Sequence, residues 1–283
     1  MKSLTHIHLI DTDPIPIHYR PLTELPLIIL VGLTGVGKTT TLQALADVGD
    51  EFSLLPNRRT VTDQTIITYL QQQAGEAVVS VTDRLERFNY TARYRELFAG
   101  GMAHALSRVA VDASGLQADM PLIFDGLRGL NEIQHAVEYF PHGRFIVLDA
   151  PDMVRLSRLL TRGDHFDHVT VPSEVNMTTG SQPLAQLRHA VPDIETVFNN
   201  AELTQLANLP QNQTLTLNEV IKKASIIVKE RRNYDSQATI NYLQAQNRPE
   251  LALVVNTAAN QPNEVAEQVR AWGYQPKARQ KTR

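Results

Sequence analysis

Gly32-Leu33-Thr34-Gly35-Val36-Gly37-Lys38-Thr39 fits G-x-x-x-x-G-K-[ST], the phosphate-binding loop or Walker A motif. Its flanks supply the context this motif requires. Leu27-Ile28-Ile29-Leu30-Val31 is an apolar, branched run suited to a buried parallel strand. From Lys38 the chain places Leu42, Leu45, Ala46 and Val48 at helical spacing, and Gly49 stops the run. Backbone N–H groups from Thr34 through Gly35, Val36 and Gly37 to Lys38 are expected to cradle phosphates, aided by the helix N-terminus. Glycine at 32, 35 and 37 leaves room for close approach. Lys38 is expected to reach the terminal phosphates and Thr39 to place a hydroxyl on Mg²⁺, with Thr40 beside it. The expected ligand is a nucleoside triphosphate, read as ATP with Mg²⁺.

A chain of 283 residues suits one large α/β domain with an insertion, or two domains. With no cysteine there is no disulfide, thiol catalysis or cysteine metal site. A net charge of −3 gives no electrostatic footprint for nucleic acid. The first twenty residues carry early His, Asp and Pro and no continuous apolar core, so they do not read as a signal peptide. No apolar run approaches the length of a membrane span. The expectation is a cytoplasmic protein with no nucleic-acid or membrane partner.

Along the chain, residues 1–26 read as an extended leader with an edge strand through Ile7–Ile10. His6 and His8 alternate there and read as solvated or half-buried rather than as a metal pair. A core follows over 27–162. Pro56-Asn57 marks a turn, Arg58-Arg59 a basic corner, and a helix runs from Asp63 to Gly75. A strand is predicted at Ala77–Thr82, leading into Asp83-Arg84, and helix over 91–113 with a break at Gly100-Gly101. Pro121–Asp125 is a strand, Asn131–Phe140 a helix, Arg144–Leu148 a strand, and Pro151-Asp152 opens another helix. Residues 163–249 show helical stretches with polar linkers and no clear buried strand, the pattern of a helical insertion or lid. Residues 250–283 complete the core with a strand at Leu251–Val255, a helix at Gln261–Trp272 and a basic tail read as solvated. Strands alternating with helices predict an α/β protein, a P-loop three-layer fold with a mostly parallel sheet. The loop, Asp83, Asp125 and Asn256 then follow strand ends, where ligands collect in such sheets.

Other P-loop classes fit less well. No Asn/Thr-Lys-x-Asp guanine reader and no LSGGQ signature occurs, and Gly126, not glutamate, follows Asp125. That disfavours a transporter ATPase or an AAA-type motor. The layout resembles the nucleoside monophosphate kinase family, with adenylate kinase as the nearest pattern. Pro121–Ala136 is similar to that family's strand, DGFPR and glutamine-bearing helix. Asp125 and Gly126 match, Leu127 takes the aromatic position, Arg128 stands where the family has proline, and Gln134 is displaced by one. Arg144–Arg162 resembles its strand, Pro-Asp and helix ending R-L-x-x-R at the lid. Leu251–Val269 resembles its last strand and closing helix.

The resemblance implies phosphoryl transfer from MgATP to a nucleotide or other small acceptor, chemistry that needs alignment and charge neutralisation. Asp125 would hold Mg²⁺ with Thr39. Arg155, Arg158 and Arg162 share a helical face and would offer guanidinium to the transferring group, Arg162 above all, with Arg128 counted in the same catalytic set. Arg58 and Arg59 lie where the family builds its acceptor-phosphate site. Asp83-Arg84 follows a predicted strand as in thymidylate kinase-like enzymes. There Asp83 would serve as general base for a hydroxyl acceptor and Arg84 would bind the acceptor; the alternative for Asp83 is a helix cap. Asp164-His165-Phe166-Asp167-His168 matches no metal template, and the Glu230–Asp235 patch reads as a solvated corner between helices, with reach to the cleft as the alternative if the insertion folds over it. A second function stays open: a nucleotide-dependent regulatory or adaptor ATPase whose insertion, 163–249, binds a protein partner.

Overall fold

The computed structural model describes residues 1–11, 14–116, 120–161, 182–212 and 215–273. Two compact units divide the chain. One comprises Met1–Gly32, Gly37–Asp149 and Ser236–Arg283; the other comprises Leu33–Val36 and Ala150–Asp235.

The strands of the first unit are β1 (Lys2–Ser3), β2 (His8–Leu9), β3 (Tyr19–Pro21), β4 (Leu27–Val31), β5 (Ser53–Leu54), β6 (Val109–Asp112), β7 (Leu122–Leu127), β8 (Gly143–Asp149) and β9 (Ala252–Asn256). Six of them form a parallel sheet in the order β1-β5-β7-β4-β8-β9. Its helices are α1 (Lys38–Asp47), α2 (Arg58–Val61), α3 (Thr68–Gln73), α4 (Arg84–Leu97), α5 (Met102–Ser107) and α6 (Leu130–Tyr139), with α11 and α12 described below. A wide π-helical turn, Thr62–Ile67, joins α2 to α3.

Every residue of β4 is buried, as a strand covered on both faces requires. Leu27, Ile29 and Val31 join Phe124, Phe145 and Val147 in a core that takes in Met102, Leu106, Ile133, Ala136 and Phe140 from α5, α6 and the loop after it. On the opposite face Ile28, Leu30, Ile146 and Leu148 are equally buried. Helix α1 packs with the closing helix of the chain. The chain leaves β4 toward β5 on one side and leaves β7 toward β8 on the other. The ends of β4 and β7 therefore flank the switch point where such sheets bind ligands.

The second unit is helical: α7 (Asp152–Thr161), α8 (Pro183–Ala190), α9 (Asn200–Asn212) and α10 (Leu217–Asn233). Leu156, Leu187, Phe198, Leu203, Val220 and Ile227 centre its core, and a Thr216/Glu219 capping box starts α10. The chain then returns to the first unit with α11 (Ser236–Gln244), which packs on α6, and α12 (Pro262–Ala271).

Three expectations change. The predicted boundaries of the insertion shift: the helical unit starts at Ala150, taking in α7, and ends at Asp235, because Ile240 and Leu243 of α11 bury into the sheet core. Ala77–Thr82 is loop, not strand. Val78 and Val79 lie more than half exposed, and the Gln71 amide exchanges two hydrogen bonds with the Val79 backbone, at 3.0 and 3.2 Å. The predicted helix over 91–113 resolves into α4, α5 and then β6. Val109, Ala110 and Val111 are fully buried and pair antiparallel with both leader strands, β2 and β3, in a separate three-stranded sheet.

Candidate functional site

The loop after β4 is anchored by its neighbour strand. Gly32 N–H donates to the Leu127 carbonyl at 3.1 Å. Leu30 stands opposite Asp125 and Val31 opposite Leu127, so Gly126 is an extra residue, a bulge at the end of β7. A side chain at 126 would strike the Phe124 ring and the Arg58 Cβ. Gly35 (φ 84°) and Gly37 (φ 96°) occupy the left-handed region, which glycine enters without strain. The hydrogen-bond ladder of α1 begins at Thr41 N–H to Gly37 C=O, 2.8 Å. The first amides of the helix therefore lie ahead of its ladder, the arrangement that receives anions.

Lys38 Nζ donates to the Gly32 carbonyl at 3.0 Å and lies 3.8 Å from Asp125 Oδ1. That oxygen is buried and accepts no hydrogen bond. A buried carboxylate oxygen left in this state is costly, and a hard cation ligated by oxygen would satisfy it. Thr39 is exposed at the start of α1. Asp125 and Thr39 are thus chemically suited to a hard divalent cation such as Mg²⁺. Among the described residues no group of three or more His, Asp or Glu is placed to hold a metal; Asp164–His168 lies outside them.

The expected acceptor arginines separate. Arg58 makes a two-pronged ion pair with Glu132, 2.8 and 2.6 Å, and also donates to the Gly126 carbonyl. Glu132 is buried and in addition accepts the Arg128 N–H at 3.0 Å. Arg58 therefore ties α2 to the bulge and to the start of α6, and its guanidinium faces a carboxylate rather than an open pocket. Arg59 is exposed and Arg128 half-buried. Asp83 follows loop, not a strand, and its carboxylate accepts the Glu86 N–H at 2.8 Å, capping α4. That is the helix-cap alternative, and the strand end on which the general-base expectation relied is missing. Arg84 opens α4; its side chain lies outside the described residues, as does Arg162.

The second unit holds Leu33–Val36 in a charged network. Thr34 N–H donates to Glu230 Oε2 at 3.0 Å and the Thr34 hydroxyl to Glu230 Oε1 at 2.5 Å. Its carbonyl accepts Arg155 Nε at 2.9 Å. Arg155 also bonds Glu230 and Asp152, and Asp152 takes Arg231 Nε. Arg155 is fully buried. Burial draws its guanidinium pKa down, while Glu230 and Asp152 push it back. Arg158 donates to the Gly35 carbonyl at 3.2 Å. Two corrections follow. Thr34 directs its amide to Glu230, so the expected phosphate cradle narrows to Gly35 through Lys38. Arg155 is an internal strut, not a guanidinium presented to a transferring group. Glu230, expected in a solvated corner with reach to the cleft as the alternative, is instead buried against Thr34. Its signal is positional: it lies three and four residues after the buried Ile227 and Ile226, on the apolar side of an amphipathic helix.

A glycine loop between a central parallel strand and a helix, with a lysine reaching back over it and an aspartate near the end of the adjacent strand, defines a P-loop protein of the three-layer α/β class. The chain belongs to the AAA domain family, whose model matches residues 28–170, and so to the P-loop NTPase superfamily. This is a class that the missing glutamate had placed lower. Gly126 still follows Asp125, and the match leaves open whether the loop drives hydrolysis or transfer. No curated protein matches the sequence. Among solved structures, an unliganded sugar kinase from Janibacter sp. HTCC2649 is 16% identical with a TM-score of 0.31, covering 87% of this chain and 92% of its own. A sulfotransferase from Alicyclobacillus acidocaldarius is 11% identical with a TM-score of 0.34, covering 89% and 80%. Likenesses of this depth carry no argument about fold or reaction; the fold rests on the strand order and the loop.

Proposed function

We propose that the chain binds MgATP at Gly32–Thr39 and moves the γ-phosphoryl group to a nucleotide or other small acceptor, in the manner of nucleoside monophosphate kinases. The observation that carries this reading is the pairing of Lys38 with a buried, unsatisfied Asp125 oxygen near the end of the neighbouring strand. Mg²⁺, held by Thr39 and Asp125, would supply charge neutralisation on the triphosphate. Lys38 would neutralise the terminal phosphates, and the amides from Gly35 to the start of α1 would orient them. Arg128, carried by the β7–α6 turn, is the arginine that this reading assigns to the transferring group. With Gly126 after Asp125, the residue following the aspartate supplies no carboxylate to orient an attacking water, which favours transfer over hydrolysis. Asp83 caps a helix, and a phosphate acceptor, already anionic, needs no base.

The test is ADP production from MgATP with and without a panel of nucleoside monophosphates, nucleosides and small phosphorylated metabolites. Stimulation by one acceptor, with the matching phosphorylated product, supports the reading. Lys38→Ala should abolish turnover with the fold retained by circular dichroism; wild-type turnover in that variant sinks it. Tight MgATP binding with only a slow, acceptor-independent rate would favour the regulatory alternative acting through a protein partner.

A further inference from the structure

Thr34 is the third residue of the phosphate loop, and all three of its polar groups are taken within the helical unit. Its amide and hydroxyl go to Glu230 of α10, and its carbonyl receives Arg155 of α7. The next residue is held as well. Gly35 gives its carbonyl to Arg158, and a Cβ at Gly35 would lie 2.8 Å from the Arg155 carbonyl oxygen. A loop with three glycines among its first six residues carries high conformational entropy when unrestrained. A ligand that had to order it would bind correspondingly more weakly.

We infer that Glu230, acting through Thr34 and braced by Arg155, is a positioning residue for triphosphate binding. The helical unit thereby does more than contribute to the fold: it holds the tip of the phosphate loop in its anion-receiving shape before ligand arrives. Glu230 does not touch the nucleotide in this scheme. Its negative charge is matched by the buried Arg155 guanidinium, and its two oxygens turn the Thr34 donors aside, leaving the amides from Gly35 onward for phosphate. The inference rests on nucleotide binding at the loop, as proposed above.

The experiment is isothermal titration of the full chain with MgATP and with MgADP. Thr34→Val deletes one hydroxyl at nearly constant shape, and Glu230→Ala deletes the acceptor altogether. Both should raise Kd about tenfold or more. Thr34→Ser, which returns the hydroxyl, should recover most of the lost affinity. Leu203→Ala, in the apolar core of the same unit, should lower the melting temperature and keep the wild-type Kd, a separation that a merely structural role would not give. Kd within twofold of wild type in both Thr34→Val and Glu230→Ala overturns the inference, as does an equal loss in Leu203→Ala. Should Glu230→Ala fail to fold, Thr34→Val decides. Failure of the underlying reading is distinct: the wild type would show no saturable binding, or Lys38→Ala would bind as tightly, and both proposals would fall.

Discussion

Replacing Arg58 by alanine separates a structural strut from an acceptor ligand. The Arg58 guanidinium meets both oxygens of Glu132, whose side chain is 4% exposed, while Arg58 itself is 21% exposed. In Arg58→Ala the carboxylate keeps the Arg128 amide but loses its counter-charge. Removing one partner of a buried pair destabilises by about 3–5 kcal/mol. Water entering over the partly exposed arginine position favours the lower end, about 3 kcal/mol, or roughly 6–12 °C in melting temperature for a domain of this size. Urea unfolding followed through Trp272 reports on the correct unit, because that indole lies under the Arg144 guanidinium at 3.9 Å beside the sheet. Arg58→Met with Glu132→Leu should regain most of the loss, since neither charge is then left without the other. A wild-type unfolding midpoint in Arg58→Ala, with a raised KM for the acceptor, would refute the strut and return Arg58 to the acceptor site.

Two further outcomes are expected. Asp83→Asn keeps a good helix cap and should leave both stability and transfer rate near wild type, while Asp83→Ala should lose about 1 kcal/mol; a sharp fall in transfer to an identified hydroxyl acceptor in Asp83→Asn would reinstate the general base. His104 accepts or donates at Tyr94 Oη, 2.9 Å away, and burial, then Arg108, holds its imidazole pKa below the ordinary value. The unfolded chain therefore binds the proton more readily. Stability should fall as pH drops through about 6.5 toward the lower folded pKa, and His104→Asn should flatten that part of a melting-temperature profile against pH; an unchanged slope would refute the assignment.

The loop, its strand and its helix were legible because their chemistry is local: glycines where the backbone turns left-handed, a branched run before them, a periodic run after. Asp125 was legible for a related reason, since a carboxylate closing a short apolar run lies near a sheet end, although the strand itself runs on to Leu127. Other features depend on partners far away in sequence. Arg58 and Arg155 stand near the loop and look like phosphate ligands, but spacing cannot show that Glu132 and Glu230, more than seventy residues on, already claim them. Ala77–Thr82 is branched and apolar like a strand, yet among the described residues no strand lies beside it to complete a ladder. Val109–Val111 sits at the end of a small, apolar helical run and becomes a strand because the leader lies alongside it.

The register of the parallel sheet also dictates an order of assembly. Strand β8 is complete at Asp149, but its outer neighbour β9 begins at Ala252, more than a hundred residues later and beyond the whole helical unit. At about 5–20 residues per second, a ribosome needs roughly 5–20 s to deliver it. Throughout that interval the outer edge of β8, with Phe145, Ile146 and Val147, lacks the strand that closes it, and open apolar edges recruit other chains. The hazard of this protein in the cell is thus set by translation. Slow codons between 150 and 251 should lower its soluble yield without altering a single contact in the finished fold.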